Sequence, residues 1–244
     1  MKWCRLAASY VLEVCHSPIR AHINIVTDLS SPIDIVYQDD ELVVVNKPSG
    51  LLSVPGRGED KQDCVVKRVQ RIAPTARIVH RLDCATSGLM VLGLSADSHR
   101  ELSRQFHDRE VSKRYVASVF GKLKESSGEV DLPLMTDWPN RPRQMVSEEG
   151  KKALTRYKLI AHQLLEHQGN AYECSRVELE PVTGRSHQLR VHMMSLGHPI
   201  LGDRLYADGE ALALAPRLLL HASKLTITNP TTGERLEFDN APPF

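Results

Sequence analysis

Short apolar runs, separated by turn residues, recur along most of the chain. The alternation of apolar and polar positions predicts strands at 33–37, 42–46, 79–83, 89–94, 114–120, 177–180, 218–227 and 235–238. Helical spacing predicts helices over 64–73, from an N-cap at Ser95 to about Arg109, and over 187–194 with Ser186 as N-cap and Gly197 as the stop. The strands outnumber the helices and show no regular strand–helix–strand repeat. The pattern therefore predicts an α+β fold, with a mixed, mainly antiparallel β-sheet core flanked by helices.

The domain organisation predicted from the chain is simple. Residues 1–32 match no periodic pattern and end in the breaker Ser30-Ser31-Pro32, so we predict an N-terminal extension of unknown role. Residues 33–244 contain no convincing linker or repeat and are predicted to be one domain. An early apolar run is interrupted by Glu13, and nothing approaches the roughly 20 apolar residues that span a bilayer. We therefore expect a cytoplasmic protein without a membrane partner.

Amino-acid composition excludes few classes of function for this chain. Thirty-one Lys and Arg against 30 Asp and Glu give a formal net charge of +1, which is not the strongly basic signature of many nucleic-acid-binding proteins. An RNA footprint would have to come from the distribution of these charges. The five cysteines lack the spacing of common zinc sites, so no metal is predicted.

The densest group of chemically capable residues is the segment from His80 to Gly88. If 79–83 is a strand, Arg81 and Asp83 point to the same face, and the arginine would keep the carboxylate ionised, as a nucleophile requires. Thr86 and the residues after it would turn the chain and supply donors. An ordinary ion pair at a strand end explains the same residues.

A second group spans Gly184 to His192. On a helix, Ser186 and Arg190 are four apart, so the polar groups form a stripe, and the helix N-terminus favours anions. A solvated amphipathic helix would look similar.

Two further features combine aromatic rings with cations. Tyr115 follows Lys113 and Arg114, and Trp138 lies close to Arg141 and Arg143 in a proline-rich loop. Such combinations suit base stacking and phosphate contact, although a core tyrosine and a surface loop are equally compatible with them.

Several segments together resemble the RluA family of pseudouridine synthases. His80-Arg81-Leu82-Asp83 followed by Thr86-Ser87-Gly88 resembles its central motif, Tyr115 falls at its active-site tyrosine, and 184–190 is similar to its third motif. The resemblance runs from about residue 33 to the C-terminus, and includes 46–51, 197–203 and 218–222. It implies the pseudouridine synthase fold, with 33–244 as the catalytic domain. Only 32 residues precede this region, too few for the small RNA-binding domain of many relatives.

The resemblance also implies roles for individual residues. Asp83, Tyr115 and Arg190 are expected to be catalytic, with Arg190 holding the carboxylate and Tyr115 stacking on uracil or acting as a base. Asp83 would attack the ribose or the uracil, or assist removal of a proton from the sugar. Arg81 would fill the space left by a flipped base. The residues expected to contact RNA are Arg81, His80, Thr86, Arg141, Arg143, Arg185 and His187.

The implied activity is the isomerisation of uridine to pseudouridine in structured RNA, without cofactor, metal or obligate protein partner. The implied substrates are a tRNA anticodon stem-loop and a 23S rRNA loop. Two other functions fit the same residues. An N-glycosidase would use the carboxylate but let water capture the sugar, and a non-catalytic RNA-binding module would use the three groups for contact alone.

Overall fold

A ten-stranded sheet and a separate two-stranded sheet organise the part of the chain, residues 32–244, that the computed structural model describes. The strands are β1 (Asp34–Gln38), β2 (Leu42–Lys47), β3 (Arg77–Ile78), β4 (Ser87–Gly93), β5 (Ser112–Phe120), β6 (Ser127–Asp131), β7 (Leu134–Thr136), β8 (Gln144–Val146), β9 (Leu154–His167), β10 (Asn170–Pro181), β11 (Leu220–Thr228) and β12 (Arg235–Asp239). The helices are α1 (Val65–Gln70), α2 (Ala96–Asp108), α3 (Gln188–Ser195) and α4 (Gly209–Ala213), with a 3-10 turn at Glu59–Lys61. The predicted extension, residues 1–32, lies outside the described residues except for Pro32.

The large sheet has the order β1-β2-β4-β11-β5-β10-β9-β6, with β3 paired to β4 and β12 paired to β11. Among the described strands, β4 and β11 pair in parallel and every other pair is antiparallel. The predicted α+β fold with a mixed, mainly antiparallel sheet is therefore confirmed. No helix in the described range has both the length and the apolar character needed to cross a membrane.

Both faces of the sheet are buried around β2 and β4. Val43 and Val45 pack into the apolar cluster that contains α1, whereas Leu42 and Val44 pack into the cluster that contains Leu102 of α2. This explains why the sequence of β2 is a continuous apolar run rather than an alternation of apolar and polar residues. A further cluster joins β5, β10 and β11 to α3.

The predicted helix after Ser95 is confirmed together with its N-cap. The Ser95 hydroxyl accepts a hydrogen bond from the backbone N–H of Ser98 at 3.0 Å, which begins α2. Arg109 ends it in the left-handed conformation, with φ 62°. The strands predicted at 33–37, 42–46, 89–94, 114–120, 218–227 and 235–238 correspond to β1, β2, β4, β5, β11 and β12, and the helix at 64–73 to the shorter α1.

The predicted strand at 79–83 is wrong. In this region only the two residues of β3 pair with β4. The residues that follow form a loop up to Ser87, where β4 begins. The Ser53 side chain takes the place of the backbone hydrogen bonds that a strand would make. Its hydroxyl donates to the Leu82 carbonyl at 2.7 Å and accepts from the Leu82 N–H at 3.1 Å. A side chain distant in sequence therefore stabilises this loop, which alternation alone cannot reveal.

Ser186 is not the N-cap of the third helix. His187 occupies that position in the left-handed conformation, with φ 54° and no side-chain cap. The Gln188 side chain satisfies the preceding segment instead, because its Oε1 accepts from the Arg185 N–H at 3.0 Å and from the Thr183 hydroxyl at 2.7 Å. The helix itself and its stop before Gly197, with φ 80°, are as predicted.

The strand predicted at 177–180 is the end of a much longer hairpin. Strands β9 and β10 pair over nearly their whole length. Sequence analysis missed β9 because its apolar side chains, including Ile160 and Leu164, are largely exposed and mark no buried face.

Candidate active site

A cleft of about 1130 Å³ lies among the 79–86 loop, the C-terminal part of α2, the start of β5 and the N-terminus of α3. Its lining includes one acidic side chain, that of Asp83. The cationic or potentially cationic side chains that line it are Arg81, Arg109, Lys113, Arg141, Arg185, Arg190, His80, His107 and His187. The cleft therefore concentrates positive charge in a protein of nearly zero net charge.

Asp83 is held from one side by α3. Its Oδ2 accepts a hydrogen bond from Arg190 Nη1 at 3.2 Å and lies 3.7 Å from His187 Nε2. Its side chain is 30% exposed, and no described residue hydrogen-bonds to Oδ1. The carboxylate is therefore oriented through one oxygen and open to the cleft through the other.

The predicted pairing of Arg81 with Asp83 is wrong, because Arg190 supplies the ion pair. Arg81 is exposed at the cleft and takes part in none of the ion pairs between described residues. The reason is that residues 79–83 form a loop, so residues two apart need not share a face.

Arg190 is nearly buried and bonds to two carboxylates. Its Nε and Nη2 donate to Asp203 at 2.7 and 2.6 Å, and its Nη1 donates to Asp83. Burial acts to lower the pKa of Arg190, but the hydrogen bonds and charge of Asp203, with a smaller effect of Asp83, raise this pKa above its ordinary value. The guanidinium therefore stays charged beside Asp83.

Tyr115 lies on β5 where two apolar clusters meet, and it also lines the cleft. Burial, and then the negative charge of Asp83, raise the pKa of Tyr115 above its ordinary value. Its phenol is therefore neutral at physiological pH. The structure thus brings Asp83, Tyr115 and Arg190, which are far apart in sequence, to one cleft.

His187 links Asp83 to Tyr206. The Tyr206 hydroxyl accepts from the backbone N–H of Gln144 at 2.7 Å and lies 2.6 Å from His187 Nδ1. The His187 ring therefore lies between the Tyr206 hydroxyl and the Asp83 carboxylate. Burial lowers the pKa of His187, so the neutral ring is favoured.

Lys47 stabilises the loop that carries Asp83. Its buried ammonium donates to the carbonyl oxygens of Pro48, Leu51 and Cys84 at 2.9, 2.8 and 3.0 Å. Burial lowers the pKa of Lys47 to about 8. The ammonium thus connects the 48–51 segment to the loop that carries Asp83.

Thr86 and His80 line the cleft from the loop that carries Asp83. Thr86 is buried. The His80 ring stacks on Phe106 with centroids 4.3 Å apart, and its Nε2 accepts from the Val91 N–H at 3.1 Å. Burial, and then the charge of Lys113, lower the pKa of His80 to about 3. This ring is neutral and engaged in packing as well as in lining the cleft.

Of the other arginines predicted to contact RNA, Arg141 and Arg185 line the cleft and Arg143 does not. Arg141 is exposed and lines the cleft, with its guanidinium 4.7 Å from the centre of the Trp138 ring. Arg143 packs over the Tyr206 ring at 5.5 Å, and is not among the residues that line the cleft. Arg185 lines it while its Nε donates to the Lys152 carbonyl.

Sequence analysis gave no separate role to three residues that the structure brings to this region: Arg109, Asp203 and Tyr206. Lys113 was noted only as a cation beside Tyr115, and the strand predicted at 114–120 gave no indication of the cleft that both residues line. Asp203 lies within the 197–203 segment of the resemblance, yet its contact with Arg190 is a tertiary one. Within the described residues, no group of three or more His, Cys, Asp or Glu side chains is arranged to hold a metal ion.

Comparison with known proteins places this site in a family. Residues 41–195 match the family described as RNA pseudouridylate synthase. The chain is 57% identical over 205 residues to the dual-specificity RNA pseudouridine synthase RluA of Escherichia coli strain K12, covering 84% of this chain and 90% of that protein. It is 50% identical over 216 residues to the protein of the same name from Haemophilus ducreyi, covering 87% and 94%.

A solved structure shows the same fold. Human RNA pseudouridylate synthase domain containing 1 superposes with a TM-score of 0.74 at 30% identity, covering 88% of this chain and 85% of that one. The chain therefore belongs to the RNA pseudouridylate synthase family.

Proposed function

We propose that the protein is a dual-specificity enzyme that isomerises uridine to pseudouridine in a tRNA anticodon stem-loop and in a 23S rRNA loop. Relatives that bear the dual-specificity name share 50–57% of their residues with this chain over at least 90% of their own length. The proposal takes its substrate range from these relatives and its chemistry from the cleft.

One observation carries the chemistry. In a cleft lined otherwise by cations and neutral groups, Asp83 offers an oxygen that no described residue binds, while its second oxygen is held by Arg190. A target uridine must leave its stem-loop stack to enter such a cleft, at a cost of a few kcal/mol. Arg81, exposed at the cleft, is proposed to fill the vacated space.

In the proposed reaction, the bond between uracil N1 and ribose C1′ breaks and a bond between C5 and C1′ forms. The C5 proton is lost and N1 gains a proton, so the RNA is isomerised with no change in mass. Asp83 assists as a nucleophile toward the ribose or the uracil, or as a base toward the sugar. Arg190 keeps the carboxylate ionised and oriented.

Tyr115 is proposed to stack on the extruded uracil. Its raised pKa supports this role, because a neutral phenol is a stacking surface and a hydrogen-bond donor rather than a base. A role as proton acceptor would require the phenol to lose its proton against both burial and the charge of Asp83.

The RNA backbone is proposed to cross the basic rim of the cleft. Five cations, Arg81, Arg109, Lys113, Arg141 and Arg185, line the cleft and form no salt bridge with any described residue. Unpaired cations of this kind are available to phosphates. Thr86, His80, Arg143 and His187 are proposed as further RNA-contacting or supporting residues.

Residues 33–244 are proposed as the catalytic domain, with residues 1–32 as an extension outside it. The family match, residues 41–195, falls within this domain. RNA substrates of these classes favour a cytoplasmic enzyme, and we propose that it acts without an obligate protein partner.

The test compares the wild-type protein with Asp83→Asn on tRNA and rRNA stem-loops that carry tritium at uridine C5. Wild type should release tritium from both RNAs, and Asp83→Asn should release none while its RNA dissociation constant stays within about threefold, under 1 kcal/mol. Asp239→Asn is the control, because this exposed carboxylate of β12 pairs with the exposed Lys224 and neither residue lines the cleft. Substantial turnover by Asp83→Asn would remove Asp83 from its proposed role.

The same RNA distinguishes the alternatives. An N-glycosidase would leave abasic sites and lower the RNA mass, and a binding module would bind without releasing tritium. Release from only one of the two stem-loops would contradict the dual specificity alone.

A further inference from the structure

Asp203 is a second carboxylate on the arginine that holds Asp83. Its side chain has 0% relative exposure, and it is not among the cleft-lining residues. Arg190 donates to it from Nε at 2.7 Å and from Nη2 at 2.6 Å, whereas the bond from Nη1 to Asp83 is longer, at 3.2 Å. A bidentate pair fixes the plane of a guanidinium, so the direction of Nη1 follows from the position of Asp203.

The segment that carries Asp203 is anchored on both sides. The Leu205 N–H donates to Asp203 Oδ1 at 3.0 Å. Gly202 has φ 69°, and a Cβ there would meet the Arg217 carbonyl oxygen at 2.1 Å, so the backbone passes where only glycine fits. The Leu201 N–H donates to the Ser118 carbonyl on β5, the strand that carries Tyr115.

A purely structural explanation accounts poorly for this pair. Buried ion pairs contribute little to stability compared with well-packed apolar residues of similar volume. Here two carboxylates share one guanidinium, and one of them faces the cleft. The arrangement costs desolvation at Asp203 and gains a defined orientation at Asp83.

We propose that Asp203 is a positioning residue for the isomerisation. It directs Arg190 so that Nη1 holds one oxygen of Asp83 and the other oxygen remains free for the nucleotide. Asp203 does not touch the RNA and acts only through Arg190. This inference rests on the proposed function, because it assigns a role within the same site.

The test measures single-turnover tritium release, RNA affinity and thermal stability for Asp203→Asn. The amide keeps the shape of the side chain but weakens the bidentate pair. We expect the rate to fall about 100-fold, the loss that a misplacement of about 1 Å can produce, with an unchanged RNA dissociation constant. The matched control is Asp63→Asn, because Asp63 forms a similar bidentate pair with Arg68 (2.9 and 2.7 Å) outside the cleft. It should lose stability and keep its rate.

A double-mutant cycle separates positioning from a general structural effect. In an Arg190→Lys background, which lacks the guanidinium fork, Asp203→Asn should lower the residual rate by less than about threefold, since coupled residues are not additive. A full further 100-fold loss in that background, or a rate near wild type in the single variant, would overturn the proposal.

Asp203→Glu supplies a second variant if Asp203→Asn fails to fold. It keeps the charge but displaces the carboxylate, so we expect a folded protein with normal RNA affinity and a reduced rate. A wild-type rate would show that orientation by Asp203 is unimportant. Absence of tritium release from the wild-type protein would refute the proposed function itself, and is therefore distinct from these outcomes.

Discussion

Replacing Lys47 by methionine should change how stability depends on pH. The Lys47 ammonium has no exposed surface, and burial lowers its pKa from 10.5 to about 8. Between these values the unfolded chain binds a proton that the folded protein does not, so the contribution of Lys47 to the free energy of unfolding rises with pH. The slope is at most about 1.4 kcal/mol per pH unit. Summed from pH 8 to about 10.5, the increase in the contribution of Lys47 to the free energy of unfolding amounts to about 3 kcal/mol.

The quantity to measure is the difference in unfolding free energy between wild type and Lys47→Met. Urea denaturation followed by circular dichroism, at several pH values between about 7 and 10, gives this difference directly. Near neutral pH we expect a small difference, because losing the hydrogen bonds to the Pro48 and Leu51 carbonyls is offset by removing a desolvated charge. Above pH 8 the difference should widen in favour of wild type.

The difference in unfolding free energy between the two proteins separates the effect of Lys47 from that of the other titratable groups. Burial raises the pKa of the Cys64 and Cys174 thiols, which opposes the trend equally in both proteins. Lys224→Met is the control, since the hydrogen bond and charge of Asp239 raise the pKa of that exposed lysine and its effect lies at higher pH. A wild-type minus Lys47→Met difference that stays constant within about 0.5 kcal/mol across the range would refute the inferred desolvation.

Three further predictions concern the cleft and its frame. Arg185→Ala should weaken RNA binding and reduce the salt slope of log K by about 0.7–0.9, whereas Arg100→Ala, on the exposed face of α2, should leave that slope unchanged. Arg81→Ala should slow single-turnover isomerisation at least about tenfold through impaired base flipping, and a collapse of its melting temperature would favour a structural role. Gly88→Ala should destabilise by about 3 kcal/mol or more in urea, because a Cβ there would meet the backbone of β11 at 2.3 Å; Gly169→Ala, with positive φ but open space, should lose only about 1 kcal/mol.

Local signals in the chain were sufficient for much of the fold. The N-cap at Ser95 and the short apolar runs specify α2 and six of the strands, because they depend on contacts within a few residues. The strand predicted at 79–83 failed for the opposite reason. The backbone of Leu82 is satisfied by Ser53, 29 residues away, and no local pattern encodes that contact.

The same distinction between local sequence signals and tertiary contacts applies to the candidate site. Motifs in the sequence singled out Asp83, Tyr115 and Arg190, because each lies in a segment with a distinctive order of residues. Alternation along the chain favoured Arg81 as the partner of Asp83, whereas the resemblance implied Arg190, and Arg190 is the partner in the structure. That pairing depends on the register that sets α3 across from the 79–86 loop, 107 residues away in sequence.

Residue order by itself thus determined the fold class, the main elements and the identity of the chemically capable side chains. Tertiary structure alone decided how the charges are distributed. It gathers around Asp83 several cations that pair with no described carboxylate, and it aligns Arg190 between Asp83 and Asp203. Electrostatic interaction depends on distance in space and on burial, and neither can be read from distance along the chain.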